Sequence, residues 1–273
     1  MTNVKELIQQ GELTKACEIL GQELKDDPLS TEKRALYVEL LCVSGELEKA
    51  DNQLDMMVRQ NPDFLIGAVN LRQLIRAMQS RIDFYNGADT ASIFFEADTE
   101  LQTLLELRLA LKEERFDDAQ SIAHKLEHAR KKTPVQINDE QYADVRDLDD
   151  SLCGYIELFG TDGKYYVTNF SNIDYLEIKA PESLIETVLR RVEVSIKDGP
   201  SGEAFLPVIY AESATPMELL GRETDWAERS EQLFTGVGQK MWLVGEQALA
   251  ITDISSFACG DLAEAQDKEP EAV

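Results

Sequence analysis

The chain has 273 residues, of which 43% are hydrophobic and 29% charged, and its formal net charge is −25. This composition is typical of a globular protein, and the charge argues against nucleic acid and anionic lipid as partners because both would be repelled. Solubility alone would explain an acidic excess. The alternative is a basic or mixed-charge protein partner. The acidic residues are concentrated in residues 136–273, where the net charge is −18.

Export and membrane insertion are not predicted. The sequence has no run of about 18 apolar residues. Residues 1–7 lack the basic stretch and apolar core of an export signal. The four cysteines are scattered without a Cys-x-x-Cys pair, which argues against structural zinc and a disulfide framework. We therefore expect a cytoplasmic protein without a metal or other cofactor, and the sequence leaves its oligomeric state open.

A repeat with a period of 34 residues begins near the amino terminus. Such a period is typical of tetratricopeptide helix pairs, which stack into a curved surface that binds other chains. A chance match between two ordinary helical hairpins is the alternative, and seven identities in register disfavour it. The identical pairs are Gly11/Gly45, Glu12/Glu46, Leu13/Leu47, Lys15/Lys49, Ala16/Ala50, Leu20/Leu54 and Pro28/Pro62.

The first half, residues 1–132, is predicted to be a tetratricopeptide-like helical domain. The apolar residues recur at helical spacing, and Gly or Pro marks the helix ends. Later repeats are degenerate, and Tyr85–Asp89 is predicted to interrupt the array. The predicted helices are Thr2–Gln10, Leu13–Lys25, Thr31–Val43, Leu47–Gln60, Phe64–Phe84, Ala97–Glu113 and Phe116–Arg130.

The second half is predicted to be a mostly antiparallel α+β domain over residues 147–257, after a linker over 133–146. One short helix, Glu182–Arg190, is expected, and Thr224–Trp226 is expected in a loop. Residues 258–273 are predicted to be a disordered acidic tail. The predicted strands are Leu152–Phe159, Lys164–Thr168, Tyr175–Lys179, Val192–Lys197, Ala204–Tyr210, Lys240–Gly245 and Gln247–Thr252.

One motif suggests metal chemistry. His124, Glu127 and His128 match His-x-x-Glu-His, in which two histidines on one helix face hold zinc and the glutamate is the base. The chain has no third histidine, and the repeat places both histidines on the outer face, next to basic residues. We therefore expect a solvated helix face and no enzymatic activity, and the alternative is a zinc-dependent hydrolase.

Two other groups have simple structural explanations. Asp144, Asp147, Asp149 and Asp150 lack the glycine and terminal glutamate of a calcium loop, so a capped turn at the domain junction is expected. Both tryptophans, at 226 and 242, are expected in the core. An exposed recognition anchor is the alternative for Trp226, which follows a carboxylate in a loop-like stretch.

The second half contains further short motifs. Through these motifs and the helical first half, the chain resembles the ImpE (TagJ) family of bacterial type VI secretion accessory proteins over nearly its whole length. The resemblance implies a cytoplasmic, non-catalytic component that binds the amino-terminal helical region of the small sheath subunit. A general assembly chaperone is the alternative. The residues that support the resemblance are Asp147–Asp150, Gly154, Asp162–Tyr166, Pro181, Asp198-Gly199, Leu206-Pro207, Tyr210, Leu220–Arg222, Thr224–Trp226, Gly236 and Gly238-Gln239.

Tetratricopeptide geometry predicts which side chains face a bound helix. The first helix of each pair lines the concave side at its second, fifth, ninth and twelfth positions. An apolar strip flanked by charge would suit an amphipathic helix. The alternative is that the long Phe64–Phe84 helix packs over this face and fills it. The predicted protein-binding residues are Glu32, Ala35, Glu39, Cys42, Ile66, Val69, Gln73 and Arg76.

Overall fold

The computed structural model describes residues 4–260 and confirms the predicted class, a helical first half followed by an antiparallel, sheet-rich second half. The predicted bounds of α3 and α4 are reproduced, and α2, α5, α6 and α7 differ by one or two residues at their ends. The predicted start of the first helix, Thr2, lies outside the described residues, and that helix ends one residue earlier than predicted. The helices of the first half are α1 (Val4–Gln9), α2 (Leu13–Asp26), α3 (Thr31–Val43), α4 (Leu47–Gln60), α5 (Leu65–Tyr85), α6 (Thr99–Lys112) and α7 (Phe116–Ala129).

The repeated residues have equivalent roles in the two repeats. Gly11 and Gly45 lie between paired helices with φ of +77° and +75°, a left-handed conformation that disfavours a side chain. Ala16 and Ala50 are fully buried where α2 and α4 pack on their neighbours. The 34-residue period therefore reflects a repeated helical hairpin.

The second half contains thirteen strands within the described residues, arranged in three antiparallel sheets. The largest has the order β2-β1-β13-β6-β7-β8-β4-β5, and the smaller ones are β10-β9 and β12-β11-β3. A single helical turn, α8 (Pro216–Leu219), precedes β9. The strands are β1 (Val135–Ile137), β2 (Glu140–Tyr142), β3 (Val145–Asp147), β4 (Tyr155–Gly160), β5 (Tyr165–Asn169), β6 (Ile173–Ile178), β7 (Leu189–Ile196), β8 (Ser201–Pro207), β9 (Thr224–Ser230), β10 (Leu233–Gly238), β11 (Met241–Val244), β12 (Gln247–Ala250) and β13 (Ser256–Cys259).

Three local predictions are wrong. Residues 133–146 are not an unstructured linker, because they form β1, β2 and the start of β3, and β1 pairs with β13. The predicted helix Glu182–Arg190 is a single 3-10 turn, Ile185–Thr187, followed by β7. Thr224–Trp226 begins strand β9. Of the predicted tail, Ala258 and Cys259 belong to β13, and residues 261–273 lie outside the described residues.

The two halves are joined by contacts at several separate places. The second part of α5 lies against β4 and β5, where Arg81 forms an ion pair with Glu157. At the other end of the array, Arg222 donates a 2.6 Å hydrogen bond to the backbone oxygen of Gln9. The helical array is therefore braced by the sheet region at both ends.

No helix within residues 4–260 combines the length and apolar character needed to cross a membrane.

Candidate functional site

The predicted protein-binding face is open at the amino-terminal ends of α3 and α5. Glu32 is exposed and Ala35 half-buried on the first turns of α3. On α5, Ile66 is 77% exposed and Val69 44% exposed. Because Ile66 and Val69 point to solvent, α5 does not use this side to fill the face, which was the alternative considered from the sequence.

The other end of the α3 face is closed by the second half of the chain. Glu39 accepts a 3.1 Å hydrogen bond from the backbone N–H of Ile185, and burial raises the pKa of Glu39. Cys42 is 1% exposed, and burial raises its pKa to about 12. Glu39 and Cys42 are therefore unavailable to a partner while this contact is in place.

The middle of α5 is also partly occupied. A Cβ added to Gly163 would lie 2.5 Å from the Gln73 side-chain oxygen, so the turn between β4 and β5 packs closely on Gln73. Arg76 is exposed and donates a 3.1 Å hydrogen bond to the same oxygen. Of the eight predicted residues, Glu32, Ala35, Ile66, Val69 and Arg76 remain accessible.

An additional apolar residue extends the open end. Leu65 is 50% exposed and lies four positions before Val69, so it shares the face of α5 with Ile66 and Val69. The spacing was visible in the sequence, but Leu65 falls outside the regular tetratricopeptide positions. We refer to Leu65, Ile66 and Val69 as the α5 apolar strip.

A buried charge network lies where α5 meets the sheet. Arg81 donates bidentate hydrogen bonds to Glu157, at 2.8 Å and 2.7 Å. Lys240 Nζ lies 2.7 Å from Glu157 and 3.2 Å from Asp147. Burial alone would raise the pKa of Glu157, but the charges of Arg81 and Lys240 hold it well below its usual range.

Lys240 lies farther from Asp147 than from Glu157. Burial raises the pKa of Asp147 even though Lys240 opposes the shift. Since Lys240 is closer to Glu157, we assign Glu157 as the firmly ionised partner of the shared cation. Every charged group here bonds to another part of the fold, which makes the network a structural junction rather than a substrate site.

Several of the short motifs of the second half meet at this junction. Tyr210 donates a 3.0 Å hydrogen bond to Asp147, and Gly236 N–H donates to Asp149 at 3.0 Å. A Cβ at Gly236 would lie 2.3 Å from the Tyr210 ring, so only glycine allows this approach. These motif residues fix the contact between strands and are inaccessible to a partner.

The four aspartates that precede β4 are also engaged within the protein. Asp144 accepts from Arg130 at 2.7 Å, and Asp150 accepts from Arg146 at 2.7 Å. Asp149 accepts from Ser151 N–H at 2.8 Å and from Gly236. A capped turn describes this segment better than a cation site.

The His-x-x-Glu-His segment does not assemble a zinc site. His124 and His128 are exposed on α7. Glu127 accepts hydrogen bonds from Arg130 and Arg146, and from the Cys153 thiol at 2.9 Å. Burial would raise the pKa of Glu127, but these donors lower it. Within residues 4–260, no three His, Cys, Asp or Glu side chains are arranged to hold a metal ion, and the four cysteines are free.

The two tryptophans differ. Trp242 is 1% exposed and packs against Phe170, as expected for a core residue. Trp226 lies on β9, is 36% exposed and contacts the Tyr210 ring edge at 5.8 Å between centroids. The core expectation is therefore wrong for Trp226.

Comparison with known proteins agrees with this architecture. Residues 139–258 match the family model described as ImpE protein. The chain is 26% identical over 253 residues to the type VI secretion system accessory component TagJ of Pseudomonas aeruginosa, covering 92% of this chain and 88% of the relative. The crystal structure of protein VPA1032 from Vibrio parahaemolyticus is 36% identical with a TM-score of 0.92, covering 96% of this chain and 100% of that chain. The second half of the chain therefore carries an ImpE domain, and the chain as a whole is similar to TagJ.

Proposed function

We propose that this protein is a non-catalytic accessory component of bacterial type VI secretion that acts in the cytoplasm by binding a helical segment of the small sheath subunit. The similarity to TagJ supports the secretion role. The observation that supports helix binding is the α5 apolar strip, whose residues are 50%, 77% and 44% exposed.

The α5 apolar strip has the chemistry of a helix-binding surface. Leu65, Ile66 and Val69 are apolar side chains on adjacent turns of one helix face, and an amphipathic helix laid across them would remove their surface from water. Glu32 is exposed on the first turn of α3 and Arg76 is exposed on α5, and these charges of opposite sign would fix the orientation of a bound segment. Because residues 183–185 close the far end of the α3 face, the partner helix would occupy only the first turns of α3 and α5.

The test is calorimetric titration of the full chain with the amino-terminal region of the small sheath subunit. Ile66→Asp combined with Val69→Asp is expected to weaken binding by more than about tenfold, because each buried aliphatic side chain contributes about 1.5–3 kcal/mol. Both positions are exposed, so the fold and its circular dichroism spectrum should be retained. Leu109→Asp is the matched control, since Leu109 is 50% exposed on α6. Equal affinity of the double variant and the wild type would exclude this surface.

A general assembly chaperone would bind several unrelated partners. Affinity capture from cells with and without the secretion genes distinguishes the two functions. We expect the protein to capture one dedicated partner, and we expect this partner to be missing from cells that lack the secretion genes. Retention of many partners in cells that lack those genes would favour the chaperone.

A further inference from the structure

A second groove lies on the opposite side of α3 from the predicted protein-binding face. It runs between α2 and α4, with Arg34, Tyr37 and Leu41 of α3 at its floor and α8 at its edge. Its volume is about 1020 Å³. None of the functional residues discussed above lines this groove, so a ligand there would be distinct from one on the α5 apolar strip.

The floor of the groove contains a buried cation with no anion beside it. Arg34 is 4% exposed. Its Nη1 donates to the Gln53 side-chain oxygen at 2.5 Å and approaches the Met56 sulfur at 3.7 Å, while Nη2 donates to the Pro28 carbonyl at 2.6 Å. Its Nε is buried without a hydrogen-bond partner. Among the described residues, no carboxylate lies within salt-bridge distance of Arg34.

This arrangement is unfavourable for the protein alone. A buried guanidinium is normally paired with a carboxylate, because neutral acceptors replace only part of its hydration. Arg81 and Lys240 obey this rule, since both contact Glu157. Arg108, which is 8% exposed, has no carboxylate within salt-bridge distance among the described residues, but its guanidinium lies 4.0 Å from the centroid of the Tyr85 ring. Among the buried cations of the described residues, Arg34 is therefore the one with neither a carboxylate nor an aromatic ring face beside it.

The surroundings of Arg34 define the ligand that would supply the counter-ion. Lys25 and Lys49 line the groove together with Glu18 and Glu46, and Glu46 is already paired with Lys49 at 2.9 Å. The groove is thus locally positive in a chain whose net charge is −25. Its walls also contain apolar side chains, namely Leu13, Leu24, Met56, Pro216 and Leu219.

We propose that this groove binds an acidic amphipathic segment of a partner protein, with one carboxylate of the segment paired to Arg34. Gln53 and Met56 line the groove and contact Nη1, so rotation of these two flexible side chains would expose the guanidinium. The apolar residues of the segment would cover the leucine-lined walls. The rest of this acidic chain would repel such a segment. The positive charge inside the groove would therefore direct an acidic segment to this place.

The test measures binding of a short fluorescent peptide of alternating leucine and glutamate pairs to the full chain by anisotropy. Binding is expected to weaken by more than about tenfold in Arg34→Met, which removes the charge and keeps an unbranched side chain of similar length. The matched control is Arg59→Met, because the Arg59 side chain is 79% exposed on α4. The equivalent peptide with glutamine in place of glutamate should bind at least tenfold more weakly to the wild type.

Two further measurements keep the inference testable if Arg34→Met folds poorly. Lys25→Glu, at the exposed rim, is also expected to weaken the acidic peptide. The Ile66→Asp and Val69→Asp double variant should bind it as the wild type does, which separates this groove from the α5 apolar strip. Equal affinity of the wild type for the acidic and neutral peptides, or full binding by both Arg34→Met and Lys25→Glu, would overturn the proposal.

Discussion

Glu157 is a carboxylate on which three buried donors converge. Arg81, Lys240 and Tyr165 lie within 3 Å of its oxygens, and the Glu157 side chain has no exposed surface. Taking such a charge out of water is unfavourable unless its partners remain in place. The residue therefore links α5, β4, β5 and the segment before β11 through one group.

The first prediction concerns loss of that charge. Glu157→Gln leaves Arg81 and Lys240 without their shared anion, and we expect the free energy of unfolding at pH 7 to fall by about 3–5 kcal/mol. Urea denaturation monitored by circular dichroism measures this change. Glu177→Gln is the control, because Glu177 is paired with Lys179 at the surface, and its unfolding midpoint should not move. A Glu157→Gln midpoint equal to that of the wild type would contradict the structural role.

The second prediction is the pH dependence of the same group. Since the pKa of Glu157 is lowered in the folded state, its contribution is complete above the unfolded value of about 4.3 and is lost as the pH falls. Asp147 acts in the opposite direction, because burial raises its pKa. The stability difference between wild type and Glu157→Gln contains the titration of Glu157 and should shrink below about pH 4. A difference that stays constant from pH 7 to pH 3 would contradict the assignment.

The sequence revealed these residues only in part. The aspartates before β4 were expected to form a capped turn, and Asp147 and Asp149 accept local backbone hydrogen bonds in this way. The pairing of Arg81 with Glu157 joins residues 76 positions apart. No local pattern predicts such a contact, because it depends on how α5 packs against the sheet.

At the level of elements, the paired helices are defined by their turns. Gly11 and Gly45 have nearly the same positive φ, but their surroundings differ. A Cβ at Gly45 would meet nothing within 4 Å, whereas one at Gly11 would lie 2.8 Å from the Met217 sulfur of α8. The first turn is covered by the second half of the chain, and the second turn is open.

The third prediction compares these equivalent turns. Gly45→Ala should lower the free energy of unfolding by about 1–2 kcal/mol, the usual cost of a left-handed residue with a side chain. Gly11→Ala should lower it further, because Met217 must also move. Thermal unfolding of the two variants gives the comparison. A neutral effect at Gly45, or an equal effect at both positions, would contradict this description of the turns.

Helices were predicted well and several strands were missed, for a physical reason. The helices have apolar residues at regular spacing and Gly or Pro at their ends, so their signal is local. Strands β1, β2 and β3 have three residues each, and their pairing partners include β13, more than a hundred residues away. The segment after Pro181 has helical composition, but its contact with Glu39 and the pairing of β7 with β8 leave room for one turn only.

The accessible part of the proposed binding face was predicted only in part, for the same reason. The repeat placed Ile66 and Val69 correctly on an accessible surface of α5. It did not reveal that residues 183–185 cover Glu39, because this cover comes from a distant part of the chain. The open area is therefore shorter than a full tetratricopeptide groove.

For the whole molecule, the contacts between the halves predict one cooperative unit. A buried ion pair joins α5 to β4, Glu39 binds the segment before β7, and Arg222 binds the end of α1. Differential scanning calorimetry of the full chain should give a single transition whose calorimetric and van't Hoff enthalpies agree. Two separate transitions would indicate that the helical half and the sheet half fold independently, as the division of the sequence into two domains suggested.

The central claim is that the first turns of α3 and α5 hold a helix of the small sheath subunit. Hydrogen–deuterium exchange of the full chain, alone and with the amino-terminal peptide of that subunit, tests it most directly. The first amides of a helix have no partners within the helix and exchange readily, so a bound segment should slow them. We predict slower exchange in the first turns of α3 and α5, around Glu32 and Ile66. The claim would be contradicted if saturating peptide left the exchange rates in both turns unchanged. It would also be contradicted if the peptide slowed exchange only in other parts of the chain.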